Sequence, residues 1–177
     1  MKYRNTLSHS LFFIVLNIVF SQNSYAHMMV AQHGTLNIID NNIFMVLSLP
    51  VSAFKGIDDD NDSKLSIEEF TTHRSKITKI IHNKVILKDK SGKLDLQGMI
   101  LSPVMSHHSV NKLSSQLIIM GRFTLVDPNS ALQYQVGLFG QTPDEELLEI
   151  IATRQYDKRK QVIQLSPKNS QVALFSE

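Results

Sequence analysis

Leu117-Ile118-Ile119-Met120-Gly121-Arg122-Phe123-Thr124-Leu125 alternates strictly: Leu117, Ile119, Gly121, Phe123 and Leu125 fall on one side, and Ile118, Met120, Arg122 and Thr124 on the other. A period of two is the mark of a β-strand with one face turned to a core. Working outward, the same pattern returns in 132–138, in 84–88 and 93–97 around the turn Lys90-Ser91-Gly92, and in 148–152, 161–165 and 172–175. Upstream, 35–40 and 43–49 flank Asp40-Asn41-Asn42 and read as a hairpin, the second strand apolar enough to be buried on both faces. Thr142-Pro143-Asp144-Glu145-Glu146 reads as a loop or as one helical turn. Many short strands separated by turn signals predict a mainly β chain, an Ig-like antiparallel β-sandwich. One segment breaks the period. From 67 to about 82, Ile67, Phe70, Ile77 and Ile81, with Ile80, follow a helical stripe.

Immediately before that helix stands Asp58-Asp59-Asp60-Asn61-Asp62-Ser63-Lys64-Leu65-Ser66-Ile67-Glu68-Glu69. Oxygen-bearing side chains occupy positions one, three, five, nine and twelve, and an aliphatic residue occupies eight. The stretch resembles the EF-hand calcium loop, with Ser63 where glycine normally stands. The resemblance covers the loop and its flanks only. It implies that Asp58, Asp60 and Asp62 each offer a carboxylate oxygen, Lys64 its backbone carbonyl, Ser66 a water-mediated contact and Glu69 a bidentate carboxylate. Leu65 would tie the loop into a core or a short strand, while Asp59, Asn61 and Glu68 are expected to be solvated. A non-glycine residue at position six costs roughly 1–2 kcal/mol in a left-handed conformation. That predicts binding weaker by about tenfold or more than for a glycine loop, as in extracellular-type sites. The plain alternative is an acidic surface loop that holds no ion.

The loop would form a helix-loop-helix insertion over about 50–83, its entering helix opened by Pro50 and running through Ala53 and Phe54. No complete second loop is present. The fragment 89–95 lacks the oxygen at position five and the terminal Glu, and reads as a hairpin turn. A solitary calcium loop must then be braced by the sheet.

The first 26 residues read as a signal peptide: Lys2 and Arg4, then an apolar run over 11–20, then Ser24-Tyr25-Ala26 as a small-x-small cleavage site. Residues 27–177 would form the β-sandwich domain, placed in the periplasm or secreted. The net charge of +2 resides in the leader; without Lys2 and Arg4, sixteen basic residues face sixteen acidic ones. A neutral surface argues against nucleic acid as a partner. With no cysteine, disulfides, thiolate metal sites and thiol catalysis are all excluded.

Cleavage after Ala26 would expose His27, whose amino group and imidazole can chelate copper or nickel, a start similar to that of copper-handling periplasmic proteins. His33, His107 and His108 complete a candidate second site for copper, nickel or zinc, against the reading that these are incidental histidines. Three stretches resemble small periplasmic proteins that accompany HupE/UreJ-type metal permeases: His27 with His33-Gly34-Thr35-Leu36; Leu47-Ser48-Leu49-Pro50; and Tyr134-Gln135-Val136-Gly137-Leu138-Phe139-Gly140 with the later 162–167. This resemblance implies metal homeostasis at the membrane, with a permease or other envelope protein as partner, and no catalysis. No nucleophile motif and no small-molecule substrate are evident, and an enzyme is not expected. His73, His82 and the lysines around the loop (Lys55, Lys64, Lys76, Lys79 and Lys84) are expected to be solvated.

Overall fold

The computed structural model describes residues 31–105 and 113–176. Residues 1–26, expected to be a signal peptide, and His27, His107 and His108 lie outside the described residues. The strands are β1 (His33–Ile39), β2 (Asn42–Pro50), β3 (Val85–Asp89), β4 (Gly92–Leu94), β5 (Gln97–Pro103), β6 (Gln116–Thr124), β7 (Leu132–Val136), β8 (Leu148–Arg154), β9 (Arg159–Leu165) and β10 (Gln171–Leu174). The α-helix, α1, spans Ile67–Lys84. A six-stranded sheet runs β5-β6-β2-β1-β8-β9, and a four-stranded sheet runs β10-β7-β3-β4. Among the described residues the architecture is a β-sandwich with one inserted helix.

The alternation of β6 does what its period dictates. Leu117, Ile119 and Phe123 are fully buried, whereas Ile118 and Met120 are half-buried on the other face. In β2 the buried set is Ile43, Met45, Leu47 and Leu49. The expectation that 43–49 is buried on both faces holds only toward the end of the strand: on the outer face Phe44 is 42% exposed and Val46 half-buried, whereas Ser48 is fully buried. Between the sheets, the Tyr134 hydroxyl reaches Met45 Sδ at 3.5 Å. At the open side, Gln161 of β9 stitches to the last strand: its amide nitrogen donates to Ala173 O at 3.3 Å and its oxygen accepts from Phe175 N at 2.8 Å.

Several details depart from the sequence-based expectation. β1 pairs with β8 in parallel, so the sandwich is not wholly antiparallel. A tight hairpin forces antiparallel pairing, but β8 follows a long connection from β7 in the other sheet and is free of that constraint. β5 has no counterpart in the sequence reading. It carries a register shift between Gln97 and Ile100, Gly98 at φ 60° and a terminal Pro103, and so lacks a clean alternation. The element 142–146 settles as a 3-10 turn over Pro143–Glu145.

The insertion is also smaller than a helix-loop-helix. Only a 3-10 turn, Val51–Ala53, precedes the loop. β2 runs through Pro50, which leaves seven residues before Asp58. Within them, Phe54 and Ile57 are buried in the core, and Gly56 reverses the chain at φ 70°. No amphipathic helix fits in that span. α1, by contrast, is well specified. Ser66 is its N-cap, accepting from Glu69 N at 3.2 Å, while Glu69 Oε2 accepts from Ser66 N at 2.8 Å. This reciprocal capping box satisfies two donors that a helix start leaves orphaned. Ile77 and Ile81 face the core with Phe70 and Ile80 beside them, but Ile67 is 50% exposed, because the first turn of α1 lies outside the sheets.

Candidate metal centre

The loop 58–69 curls around its own carboxylates. Asp58 Oδ2 accepts from Ser63 N at 2.9 Å and its Oδ1 from Asp62 N at 3.2 Å. Asp60 Oδ1 accepts from the same Asp62 N at 3.2 Å, and Asp62 Oδ1 from Lys64 N at 2.8 Å. Aspartates bonding to backbone a few residues ahead make successive tight turns. Two of these turns need a left-handed residue: Asn61 at φ 60° and Ser63 at φ 63°. Position six thus takes the conformation expected of it despite its Cβ.

Leu65 provides the bracing. It is fully buried, and its N–H and C=O exchange hydrogen bonds with Ser114 at 2.8 and 2.9 Å, an antiparallel bridge just ahead of β6. Ser114 is itself buried, with its hydroxyl donating to Gln116 O at 2.5 Å. Gln116 in turn donates to Ser48 Oγ of β2. A solitary loop is thereby tied to the six-stranded sheet through its eighth residue.

Ligand atoms of Asp58, Asp60 and Glu69 all lie within 4.8 Å of one another. Oxygens that each stand about 2.3–2.6 Å from one calcium ion can be at most about 5 Å apart, so this trio fits a shared hard cation. Its charges are poised differently. Glu69 is buried, and its carboxyl is held below the ordinary range, chiefly by the Ser66 N–H against the cost of burial, with further help from the Asp59 N–H. Asp59 N donates to Glu69 Oε1 at 2.7 Å, while Glu69 Oε2 accepts from both the Ser66 N–H and the Ser66 hydroxyl at 2.8 Å. Asp60 titrates above its usual value. The Asp62 N–H pulls it down, but desolvation and the charges of Asp62 and Glu69, with the Asp58 carboxyl, together outweigh that bond. Such crowding of negative charge is what a divalent cation relieves.

The trio does not include the Asp62 carboxylate. Asp62 is turned to Lys64 N, and the Ser66 hydroxyl donates to Glu69 Oε2 at 2.8 Å. Of the side chains expected to be solvated, Asp59 and Lys76 are exposed but bonded, whereas His73 is half-buried. Asp59 is bound at 2.9 Å through both oxygens by His73 Nε2, and the His73 side chain is only 19% exposed. Lys76 Nζ donates to Gly56 O at 2.6 Å. Both contacts come from one side of α1 and tie Asp59 of the loop, and Gly56 just ahead of it, to the helix; residues three apart on a helix would have to be matched to those positions to foresee them. A cleft of about 480 Å³ borders Asp58 and Ser63, and its other carboxylate, Glu145, accepts from Ser52 Oγ at 2.6 Å.

The fragment 89–95 is a hairpin turn between β3 and β4, as its spacing predicts. Asp89 accepts from Ser91 N at 2.7 Å, and the Ser91 hydroxyl leads the contacts that lower its pKa. Of the candidate imidazole site, His33 is described. Its Nδ1 stands 3.0 Å from Ala31 O and its Nε2 3.7 Å from Glu149 Oε1, a cross-strand neighbour. Among the described residues, no helix is long and apolar enough to cross a membrane. The chain matches no protein-family model and no curated protein.

Proposed function

We propose that this protein is an exported, non-catalytic module that binds one calcium ion in the loop 58–69. The observation that carries the reading is the convergence of Asp58, Asp60 and Glu69 in a loop whose sixth residue is left-handed and whose eighth is pinned to the sheet. Asp58, Asp60 and Glu69 would hold the ion, with Asp62, the Lys64 carbonyl and Ser66 as the remaining donors. Bound calcium supplies positive charge that cancels the repulsion among these carboxylates. Glu69 couples the ion to α1, because the same carboxylate caps that helix. Leu65 couples it to β6 through Ser114.

Calorimetric titration of the purified protein with calcium tests this. The expected result is a single site, weakened by about tenfold or more in Glu69→Gln, which loses the bidentate carboxylate. Because Glu69 also caps α1, Asp60→Asn serves as a second variant; Asp60 is exposed and has no capping role. It too should weaken binding. Absence of heat at millimolar calcium, or wild-type affinity in both variants, overturns the proposal.

A further inference from the structure

The outer face of the six-stranded sheet carries a pattern that the metal centre does not use. Strand register aligns Ile100, Met120, Val46, Thr35, Ile151 and Val162 in one row across all six strands. The row is apolar apart from the Thr35 hydroxyl. Its ends are open to solvent, with Ile100 56% and Val162 57% exposed, and its middle is half-buried only. A sheet face turned to water normally alternates apolar-in with polar-out, so a continuous apolar row there marks an interaction surface.

The flanking rows differ in charge. One row holds Gln97, Arg122, Phe44, Asn37, Thr153 and Lys160; the other holds Ser102, Ile118, Ser48, His33, Glu149 and Gln164. The basic groups thus lie on one side of the stripe and the acidic group on the other. We infer that this face pairs with the same face of a second copy, about a two-fold axis that runs along the apolar row. That operation lays each stripe on its twin and lays the Arg122–Lys160 row of one copy over the Glu149 row of the other. Lys160 then stands diagonally across from Glu149, one strand over, and the pair occurs twice. The alternative two-fold axis along the strands places Glu149 over apolar Ile118 and matches no charges. No like charges oppose each other in the chosen arrangement.

The area agrees with a weak dimer. Six strands about 4.8 Å apart and three rows about 7 Å apart span at most roughly 600 Å² per copy, Ser48 in one flanking row being fully buried. A total of at most about 1,200 Å² sits at the low end of specific interfaces, so a weak dimer is expected.

Sedimentation of the purified protein from micromolar to several hundred micromolar tests the pairing. A concentration-dependent dimer is expected, abolished by Val162→Arg with Ile100→Arg, both at already exposed positions. Glu149→Lys or Lys160→Glu alone should weaken it by about tenfold, and the two together should restore it. Unchanged thermal melting certifies that each variant is folded. A monomer throughout, or a dimer indifferent to all of these changes, overturns the inference. So does a monomer that binds anionic phosphatidylglycerol vesicles through this face, which would assign the stripe to a lipid surface.

Discussion

Replacing Ser63 with glycine isolates the cost of building a tight loop without the residue that suits it. Ser63 sits at φ 63°, and its backbone N–H is what holds Asp58 Oδ2 at 2.9 Å. A Cβ in that region costs roughly 1–2 kcal/mol. Glycine removes this strain but loses more backbone freedom when the loop orders, which costs about 0.5–1 kcal/mol. The net gain is then about 0.5–1 kcal/mol, or a factor of about two to five in affinity, smaller than strain alone implies. Calorimetry should show Ser63→Gly binding calcium two- to fivefold more tightly (by that same arithmetic), whereas Ser63→Ala, which keeps the Cβ, gains nothing. Equal tightening by alanine would refute the reasoning, since it would assign the effect to the hydroxyl. Unchanged or weaker binding in the glycine variant would refute it as well.

The other predictions concern how the loop is held. Leu65→Ala empties a fully buried position and should lower stability by about 2–5 kcal/mol in urea unfolding, with calcium binding weakened in parallel; a loss below about 1 kcal/mol would deny Leu65 its bracing role. Glu69, with its folded pKa lowered from 4.5, contributes stability that is complete above that value and is lost as pH falls through the folded one. Acid titration without calcium should therefore show a stability decline below pH 4.5 that is shallower in Glu69→Gln; identical slopes would contradict the capping account. Tyr134→Phe should change stability by less than about 1 kcal/mol, because the buried hydroxyl faces only a thioether, a weak acceptor, and burial already pushes its pKa up. A large loss would reveal a stronger role for that hydroxyl.

The sequence was most legible where one local rule acted alone. Alternation in 117–125 located β6 and its inner face, and the apolar stripe of Phe70, Ile77 and Ile81 located α1. It was least legible where local rules conflict. Gly98 and Pro103 blurred the period of β5, and the strand forms because β6 offers it an edge. Pro50, a plausible helix opener, is instead the last residue of β2, held in register with Gln116.

What the chain determines by itself is chemistry along its length: the period-two faces, the absence of thiols, and a row of oxygens at calcium-loop spacing. Those depend on neighbours a few bonds away. The tertiary structure decided the rest: that β8 joins β1 in parallel, that Leu65 finds Ser114, that His73 seizes Asp59, and that six separate side chains align into one apolar stripe. Each of these unites residues far apart in sequence. Their partners are chosen by how two sheets bury a shared core, a global constraint that no short window of residues carries.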